Sequence, residues 1–419
     1  MGRSCDMDEA GVLIVGTGQA AYQLVGALRD AGYAGNIRLV GDEVHLPYQR
    51  PPLSKSYMNG DVEAPSLHFQ GDAYYAKQKV DLSTGTRVTR IDRAGRFVET
   101  RSGERLPYAQ LVLATGARNR DLPCAAEVTS GSFGLRSLDD ARALREQLTR
   151  VKKVVVIGGG FLGLEFAAVA AAKGVAVTVI EASASLMSRV VCAAVGQAFQ
   201  QHHESLGVRF MLGTSVSRID TRDGKVTGVA TTDGQTAEGE AVVISIGVYP
   251  NSELAAEAGL ATRNGILVDA YLATEDPLIS AIGDCAAFPS RFASTHSRLE
   301  SIQNANDHAR CLARRLAGRP QVYDAVPWFW SDQGGLKLQI AGLSGGADAV
   351  VLRGDLAARK FSAYLFAAGR LVAVESVGRP VDHMQARKLL TANAPLTPDQ
   401  ARDESFDLKS LLAQPAAAA

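Results

Sequence analysis

A glycine-rich turn near the middle of the chain has residue types and spacing suited to a phosphate-bearing cofactor. An apolar run, Val155 to Ile157, leads into Gly158-x-Gly160-x-x-Gly163 and then into an alanine-rich helical pattern. The first glycine allows a tight bend, the second lets a pyrophosphate approach the backbone, and the third lets helix and strand pack closely. The N–H groups that begin the helix then point at the phosphates. This pattern predicts dinucleotide binding.

An acidic residue follows the glycine-rich turn at the position where such a site contacts the adenosine ribose. Val175 to Ile180 is a predicted strand, and Glu181 ends it. A carboxylate there can hold both hydroxyls of an adenosine ribose. It would also repel the 2′-phosphate of NADPH, at a cost of roughly 1 kcal/mol or more at short range. Arg189 is the nearby cation that could offset this repulsion, so the sequence predicts NADH.

The same pattern occurs earlier in the chain. A strand from Gly11 to Val15 precedes Gly16-x-Gly18-x-x-Ala21, a helix from about Ala20 to Ala31, and a second strand, Asn36 to Val40. Asp42 lies just beyond that strand. Two such folds in one chain imply two nucleotides, and the economical pair is a flavin and a nicotinamide.

A proline-rich segment, Leu46 to Lys55, follows the first motif. It can be a surface loop with incidental charges, or a loop that holds Arg50 and Lys55 rigidly over an anionic cofactor. Its position favours the second interpretation, because doubly wound folds bind ligands at loops after parallel strands. Ser54 is predicted to cap a short helix.

Strand patterns outline three domains. A strand that ends in Ala114-Thr115-Gly116 fits a chain that passes a cofactor before leaving its domain, and Ser137 is predicted to cap a helix through Leu148. The chain then returns through Gly283-Asp284, whose carboxylate suits sugar hydroxyls, and through a helix from about Ser301 to Leu316. The predicted domains are an FAD domain (residues 1–118 and 248–326), an NAD domain (119–247) and a C-terminal α+β domain (327–419). The predicted class is α/β, with two Rossmann-like domains plus that third domain.

Both tryptophans lie together at the start of the third domain. Trp328 and Trp330 belong to an aromatic run that precedes several strand-like segments. They can form an aromatic edge against the flavin, with Trp330 on the flavin side, or they can pack in the core. The sequence leaves both interpretations open.

Composition excludes several classes of protein. The 419 residues carry a formal net charge of zero, which argues against a general role in nucleic-acid or membrane binding. We find no span-length apolar stretch and no signal-peptide core, and we expect a soluble cytoplasmic protein. Five cysteines, at positions 5, 124, 192, 285 and 311, form no C-x-x-C pair. We therefore expect neither a metal site nor a redox-active dithiol, and Cys285 and Cys311 are expected in the core.

Seven motifs together resemble the oxygenase-coupled NADH–ferredoxin reductases, the family of putidaredoxin reductase. The matching stretches are Gly16 to Gly18, Leu46 to Lys55, Ala114 to Arg118, Gly158 to Glu165, Ile282 to Cys285, Glu300 to Ala305 and Phe329 to Gln333. The resemblance covers nearly the whole chain. It implies transfer of electrons from NADH through FAD to a [2Fe–2S] ferredoxin that feeds a cytochrome P450 or another oxygenase.

With the motifs above, the resemblance also implies the site residues. The FAD site would comprise Gly16, Gly18, Ala20, Asp42, Arg50, Lys55, Val88, Ala114, Thr115, Gly116, Arg136, Gly283, Asp284, Ile302 and Trp330. The NAD site would comprise Gly158, Gly160, Leu162, Gly163, Glu165, Glu181, Arg189 and Gly247. Lys55, Glu165 and Trp330 would serve catalysis, with Lys55 as a cation paired with Glu165 that favours reduced flavin. An ordinary structural ion pair is the alternative.

Ferredoxins of this type are usually acidic, so a local basic area is expected. The candidates are Arg310, Arg314, Arg315, Lys337, Arg387 and Lys388. Solvated helix faces carry such charges routinely, which is the alternative for each of them.

Other functions share parts of the pattern. A reductase of monodehydroascorbate or of rubredoxin would have the same motifs. A flavoprotein like apoptosis-inducing factor would need a basic surface for nucleic acid, which the charge balance disfavours. An NADH oxidase would need a cysteine near the flavin, and none lies between Asp42 and Tyr57.

Overall fold

The computed structural model describes residues 10–126, 128–293 and 295–412, which divide into two units. The first unit comprises the described residues of Met1–Gln49, Pro65–Arg118 and Tyr249–Pro327. The second comprises those of Arg50–Ala64, Asn119–Val248 and Trp328–Ala419. The three-domain boundaries stay a prediction, and in this division Arg50–Ala64 belongs with the second unit.

The first unit is built on a five-stranded parallel sheet. Its strands lie in the order Ile279–Ala281, Gln110–Leu113, Val12–Val15, Ile37–Val40 and Val80–Ser83. The central strands are apolar and almost wholly buried, as expected for a sheet covered on both faces. The helices Gln19–Asp30 and Ile302–Leu316 pack against each other, so the two helix starts that follow predicted cofactor loops belong to one layer.

Smaller elements complete the first unit. An antiparallel sheet contains Val88–Asp92, Phe97–Thr100 and Arg105–Pro107, and a two-stranded sheet contains Ile266–Leu267 and Ala286–Ala287. The short helices are Asp72–Lys77, Glu253–Glu257 and the 3₁₀ turn Gly283–Cys285. The 3₁₀ turn Ala64–Leu67 and the strands Ala117–Asn119 and Val248–Pro250 lie where the chain passes from one unit to the other.

The second unit repeats the parallel arrangement. Its strands lie in the order Arg209–Leu212, Ala176–Glu181, Lys153–Ile157, Ala241–Ile244 and Ser132–Phe133. The first strand of each glycine motif is thus central, with the following strand on one side. The helix Phe161–Ala172 buries most of its small apolar residues. The helix Leu138–Leu148 begins at Ser137 in a capping box with Asp140, which confirms the predicted cap.

An antiparallel sheet forms the last part of the second unit. Its strands lie in the order Trp328–Gln333, Leu336–Gly342, Arg370–Val377, Lys360–Ala367 and Ala349–Asp355. Helix Pro380–Ala392 packs on it. Buried Leu338, Phe361 and Val377 of this sheet share a core with Leu164 and Phe199 of the parallel-sheet helices.

The second unit has further elements, most of them short. They are the antiparallel strands Val216–Arg222, Lys225–Thr231 and Thr236–Glu238, the helices Ser56–Asn59, Ala193–Ser205 and Pro398–Arg402, and the 3₁₀ turns Pro51–Ser54, Pro123–Ala125 and Leu408–Leu412. The mixed architecture confirms the predicted class. None of the helices among the described residues is long and apolar enough to cross a membrane.

Candidate cofactor-binding sites

The first glycine turn leaves open space at a helix start. Gly16 has φ +116°, and a Cβ there would lie 2.1 Å from the Ala114 carbonyl oxygen. Its N–H donates to the Val40 carbonyl (2.7 Å), which fixes the turn between two strands. Gly18 is the N-cap of Gln19–Asp30, and a Cβ on it would meet nothing within 4 Å. The turn therefore fits a pyrophosphate that approaches unpaired helix N–H groups.

Several other predicted FAD residues surround this turn in the first unit. A Cβ on Gly283 would lie 3.0 Å from Ala20 Cβ, so these two predicted residues are neighbours. Thr115 donates through Oγ1 to the Asn251 carbonyl (2.6 Å), and Asn251 Nδ2 donates back to the Thr115 carbonyl (2.8 Å). This exchange holds the Ala114-Thr115-Gly116 segment.

The remaining candidates of the first unit lie at element ends. Asp42 is exposed just after its strand, Asp284 is half-buried in its 3₁₀ turn, and Val88 is the first residue of its strand. Ile302 opens the helix Ile302–Leu316, for which Ser301 accepts the Asn304 N–H (3.0 Å). The predicted helix start is confirmed.

His308 also belongs to this region, although no sequence motif indicates it. Its ring is fully buried, and Nδ1 accepts the Gly283 N–H at 3.2 Å. Burial lowers the pKa of His308 to about 3, so it holds the Gly283-Asp284 turn as a neutral ring. Only its spacing on a helical pattern could have indicated it, and that spacing does not reveal its partner.

The second glycine turn is built by equivalent bonds. Gly158 has φ +106°, its N–H donates to the Ile180 carbonyl (2.8 Å), and a Cβ there would lie 2.3 Å from the Ser245 carbonyl oxygen. A Cβ on Gly160 would meet nothing within 4 Å, so the space beside it is open. A Cβ on Gly163 would lie 2.4 Å from the Gly158 carbonyl oxygen, so helix and turn approach each other closely.

Glu181 lies at the rim of this turn. Its carboxylate accepts the Gly159 N–H (2.7 Å) and the Ser183 N–H (2.8 Å). These bonds fix its orientation beside the glycines, where a ribose would lie.

Two arginines lie near Gly247, one of which the sequence did not indicate. The Arg120 backbone N–H donates to the Gly247 carbonyl (2.9 Å), and Arg120 Nε donates to the Val248 carbonyl (3.2 Å). Exposed Arg189 brings Nη2 within 3.7 Å of a Cβ position on Gly247. Leu162 is half-buried in the first turn of its helix.

Lys55 and Glu165 form an ion pair in the second unit. Lys55 Nζ donates to Glu165 Oε2 at 2.5 Å, and the carboxylate is only 6% exposed. Ser54 Oγ donates to the same oxygen (2.6 Å) and Ser331 Oγ donates to Oε1 (2.7 Å). The prediction that Ser54 caps a helix is wrong: helix Ser56–Asn59 has no side-chain cap. The Ser54 hydroxyl instead donates to the buried Glu165 carboxylate. A buried carboxylate needs such hydrogen bonds, because an unbonded charge away from water costs free energy.

Other predicted side chains also lie in the second unit. Arg50 Nη1 donates to the Arg136 carbonyl (2.8 Å), which brings two predicted FAD residues together. Trp330 is half-buried with its ring 5.5 Å from that of Trp328. Arg387 lies 4.7 Å over the Trp328 ring.

The basic candidates differ in their availability. Arg310 pairs with Asp307 (3.0 Å), Arg314 bonds to Gln321, and half-buried Arg315 bonds to Ser280. Burial lowers the pKa of Arg315. Lys337 and Lys388 are exposed.

None of the four cysteines that the structure describes forms a disulfide bond. Cys124, Cys192, Cys285 and Cys311 are free, and the last two are buried, which confirms their core position. Cys5 lies outside the described residues. Among the residues that the structure describes, no group of His, Cys, Asp and Glu is arranged to hold a metal ion.

Comparison with known proteins extends this geometry. Residues 10–309 match the model of the pyridine nucleotide-disulphide oxidoreductase family, and residues 328–412 match that of the reductase C-terminal domain. The chain is 46% identical to rhodocoxin reductase of Rhodococcus erythropolis, over 96% of this chain and 94% of that protein.

Two crystal structures share its fold over nearly full length. A ferredoxin reductase for the CYP199A2 system from Rhodopseudomonas palustris has a TM-score of 0.93 at 48% identity, with 97% of this chain and 100% of that one covered. The covalent putidaredoxin reductase–putidaredoxin complex has a TM-score of 0.93 at 40% identity, with coverage of 96% and 98%. These matches confirm the resemblance. The chain therefore belongs to the pyridine nucleotide-disulphide oxidoreductase family, as an enzyme that uses FAD and NADH.

Proposed function

We propose that the protein oxidises NADH and passes the electrons, through bound FAD, to a [2Fe–2S] ferredoxin that feeds a cytochrome P450 or another oxygenase. One observation carries this proposal. Two open glycine cradles occur in a chain that is similar, over nearly its whole length, to reductases for ferredoxins. Rhodocoxin reductase and the reductase of the CYP199A2 system support the same assignment.

When bound, FAD would supply the capacity to take up two electrons as a hydride from NADH and to release them singly to an iron–sulfur centre. The chain's own residues bind and orient the two cofactors. In the first unit, Gly16 and Gly18 cradle the FAD pyrophosphate, while Asp42 and Asp284 receive hydroxyl groups of its sugars. The predicted domain boundaries and the other predicted FAD contacts are part of this proposal.

In the second unit, Gly158, Gly160 and Gly163 cradle the NADH pyrophosphate. Glu181 accepts from the ribose hydroxyls and disfavours a 2′-phosphate. Its hydrogen bonds to Gly159 and Ser183 support this role, because they hold the carboxylate at the rim of the cradle. Arg120 joins Arg189 as a candidate cation beside Gly247.

Lys55 is the proposed cation that stabilises negative charge on the reduced cofactor. Glu165 holds the ammonium in place through a contact of 2.5 Å. Such an ion pair acts best when water is scarce, because electrostatic interactions strengthen as the local dielectric falls. Trp330 is the proposed aromatic neighbour of the flavin, which its half-buried position allows.

Exposed basic side chains are proposed to bind the ferredoxin. The candidates are Arg310 and Arg314 in the first unit and Lys337 and Lys388 in the second, whereas Arg315 is left out because its guanidinium is half-buried and bonded to Ser280. A cytoplasmic location is also proposed. The free thiols among the described cysteines support it, because they fit a reducing compartment.

The test combines the purified FAD-loaded protein with NADH and a purified [2Fe–2S] ferredoxin. We expect bleaching of the ferredoxin's visible absorbance, with a rate that falls as salt rises. Rubredoxin and the monodehydroascorbate radical serve as rival acceptors. Faster turnover with a rival, or NADH oxidation that leaves every ferredoxin oxidised, would contradict the assignment.

A charge-reversal pair tests the surface separately. Lys337→Glu with Lys388→Glu should weaken the salt dependence and raise KM for ferredoxin by about tenfold. Lys225→Glu is the matched control, because Lys225 is also an exposed lysine of the same unit. An identical KM in both variants would remove these two lysines from the proposed surface.

A further inference from the structure

A chain of buried polar side chains extends from Glu165 into the second unit. Ser331, Gln333 and His203 are each at most 1% exposed. His203 Nε2 lies 2.9 Å from Gln333 Oε1, Gln333 Nε2 lies 3.1 Å from Ser331 Oγ, and Ser331 Oγ lies 2.7 Å from Glu165 Oε1. Four side chains from two helices and one strand thus form a continuous hydrogen-bonded path.

The path has one direction. An amide oxygen can only accept, so His203 donates from Nε2, and the Gln333 amide then donates to Ser331. Because Ser331 Oγ accepts from Gln333, its own proton goes to Glu165. Burial lowers the pKa of His203 to about 4, which keeps the ring neutral. Every donor therefore points toward the carboxylate, and each bond polarises the next.

The strand Trp328–Gln333 explains why this path matters. Ser331 and Gln333 are two residues apart and share its buried face, while Trp330, directly before Ser331, lies on the other face. The bond from Ser331 to Glu165 thus fixes the strand that carries Trp330 relative to the partner of Lys55. Ordinary packing would be served better by apolar side chains, because buried polar groups cost free energy unless they are bonded.

We propose that Ser331, Gln333 and His203 are positioning residues that fix the Glu165 carboxylate and, through it, the Lys55 ammonium for cofactor reduction. This inference rests on the proposed oxidation of NADH by the FAD-loaded protein. It does not depend on which acceptor takes the electrons.

The experiment measures the rate constant for flavin bleaching by excess NADH in a single turnover, over a series of NADH concentrations. Gln333→Leu and Ser331→Ala interrupt the path. Ser362→Ala is the matched control, because Ser362 is equally buried in the same antiparallel sheet but donates to Asp382 (2.9 Å). His203→Gln keeps a donor near the Nε2 position, whereas His203→Leu removes it.

We expect Gln333→Leu and Ser331→Ala to slow the saturated rate constant about tenfold, with little change in the NADH concentration at half-saturation. His203→Gln should retain the wild-type rate and pH profile, while His203→Leu should not. Ser362→Ala should lower Tm to a similar extent without slowing bleaching.

Equal rate constants in Gln333→Leu, Ser331→Ala and Ser362→Ala would overturn the inference. So would an equal loss of rate in His203→Gln and His203→Leu. If the FAD-loaded wild type is not bleached by NADH at all, the proposed function fails instead, and this outcome is distinct from either of the others.

Discussion

The two glycine turns of this chain are built by the same backbone bonds but differ in what stands behind them. In each turn the first glycine donates its N–H to the end of the next strand, Val40 or Ile180. In each, its missing Cβ makes room for the carbonyl oxygen of Ala114 or Ser245. This repeat shows that the cradle itself is generic. Function must therefore be sought in the positions where the turns diverge.

Three of the positions that differ bear on binding and charge. The third small residue is Ala21 in the first turn and Gly163 in the second. The terminal acid is exposed Asp42 in one and Glu181, fixed by two N–H donors, in the other. Two residues beyond the third small residue stands half-buried Gln23 in one and buried Glu165 in the other. Only the second turn places a charge at that position.

The largest effect is expected from exchanging that last position. Glu165→Gln makes the second motif resemble the first and leaves Lys55 without its counter-ion. We expect flavin bleaching by NADH to slow by about 10- to 100-fold, since hydrogen bonds and pairing to a buried charge are lost. Gln23→Glu is the reciprocal change and should leave that rate within about twofold. Stopped-flow absorbance of both variants decides, and similar rates would erase the distinction between the turns.

A smaller effect is expected at the third position. In Gly163→Ala the new Cβ would meet the Gly158 carbonyl oxygen, at 2.4 Å without adjustment, so the helix must move away from the turn. We expect the free energy of unfolding to fall by about 1–3 kcal/mol and KM for NADH to rise about tenfold. Ala21→Gly should cost only about 1 kcal/mol of helix stability with no change in that KM. Steady-state kinetics and thermal melts compare the pair, and a normal KM in Gly163→Ala would show that the close approach is not needed.

Substituting the terminal acid of each turn, Glu181 or Asp42, should affect a different ligand. Glu181→Gln keeps an acceptor but removes the charge, so we expect the NADH to NADPH ratio of kcat/KM to fall by about fivefold, equivalent to roughly 1 kcal/mol of repulsion. Asp42→Asn should change the affinity for FAD and leave the ratio unaltered. Both ratios are measured by initial rates with each nucleotide. An unchanged ratio in Glu181→Gln would refute the role of its charge.

The sequence predicted the architecture well because its signals are local. Glycine spacing, the Ser137 cap and the apolar strands each depend on residues within a few positions of one another, and the structure has these elements at or near the predicted bounds. The contacts of the site were harder to predict where the two partners are distant in sequence. Ser54 looked like a cap but bonds to Glu165, 111 positions away. His203, His308 and Arg120 carry no motif at all, so only the folded chain reveals what they contact.

The smallest effect concerns two buried histidines, one in each unit. Burial lowers the pKa of His308 to about 3 and that of His203 to about 4, against an ordinary value near 6.5. The unfolded chain therefore binds more protons than the folded one between these values, so stability present above pH 6.5 is lost as pH falls through this window. The Glu375 carboxyl, whose pKa burial raises to about 7, acts in the opposite sense.

Replacing one histidine should reduce the loss of thermal stability on acidification and leave activity at pH 7 unchanged. His308→Asn keeps an acceptor near Nδ1 for the Gly283 N–H but cannot take up a proton. We expect the drop in Tm between pH 7 and pH 5 to shrink by a few degrees, corresponding to about 2 kcal/mol, and His203→Gln should behave alike in the second unit. His296→Asn, a change at an exposed ring, should leave the drop as it is. If the drop in Tm on acidification is the same in all three variants as in the wild type, the buried rings do not set the acid sensitivity of the protein. Other titrating groups must then set it.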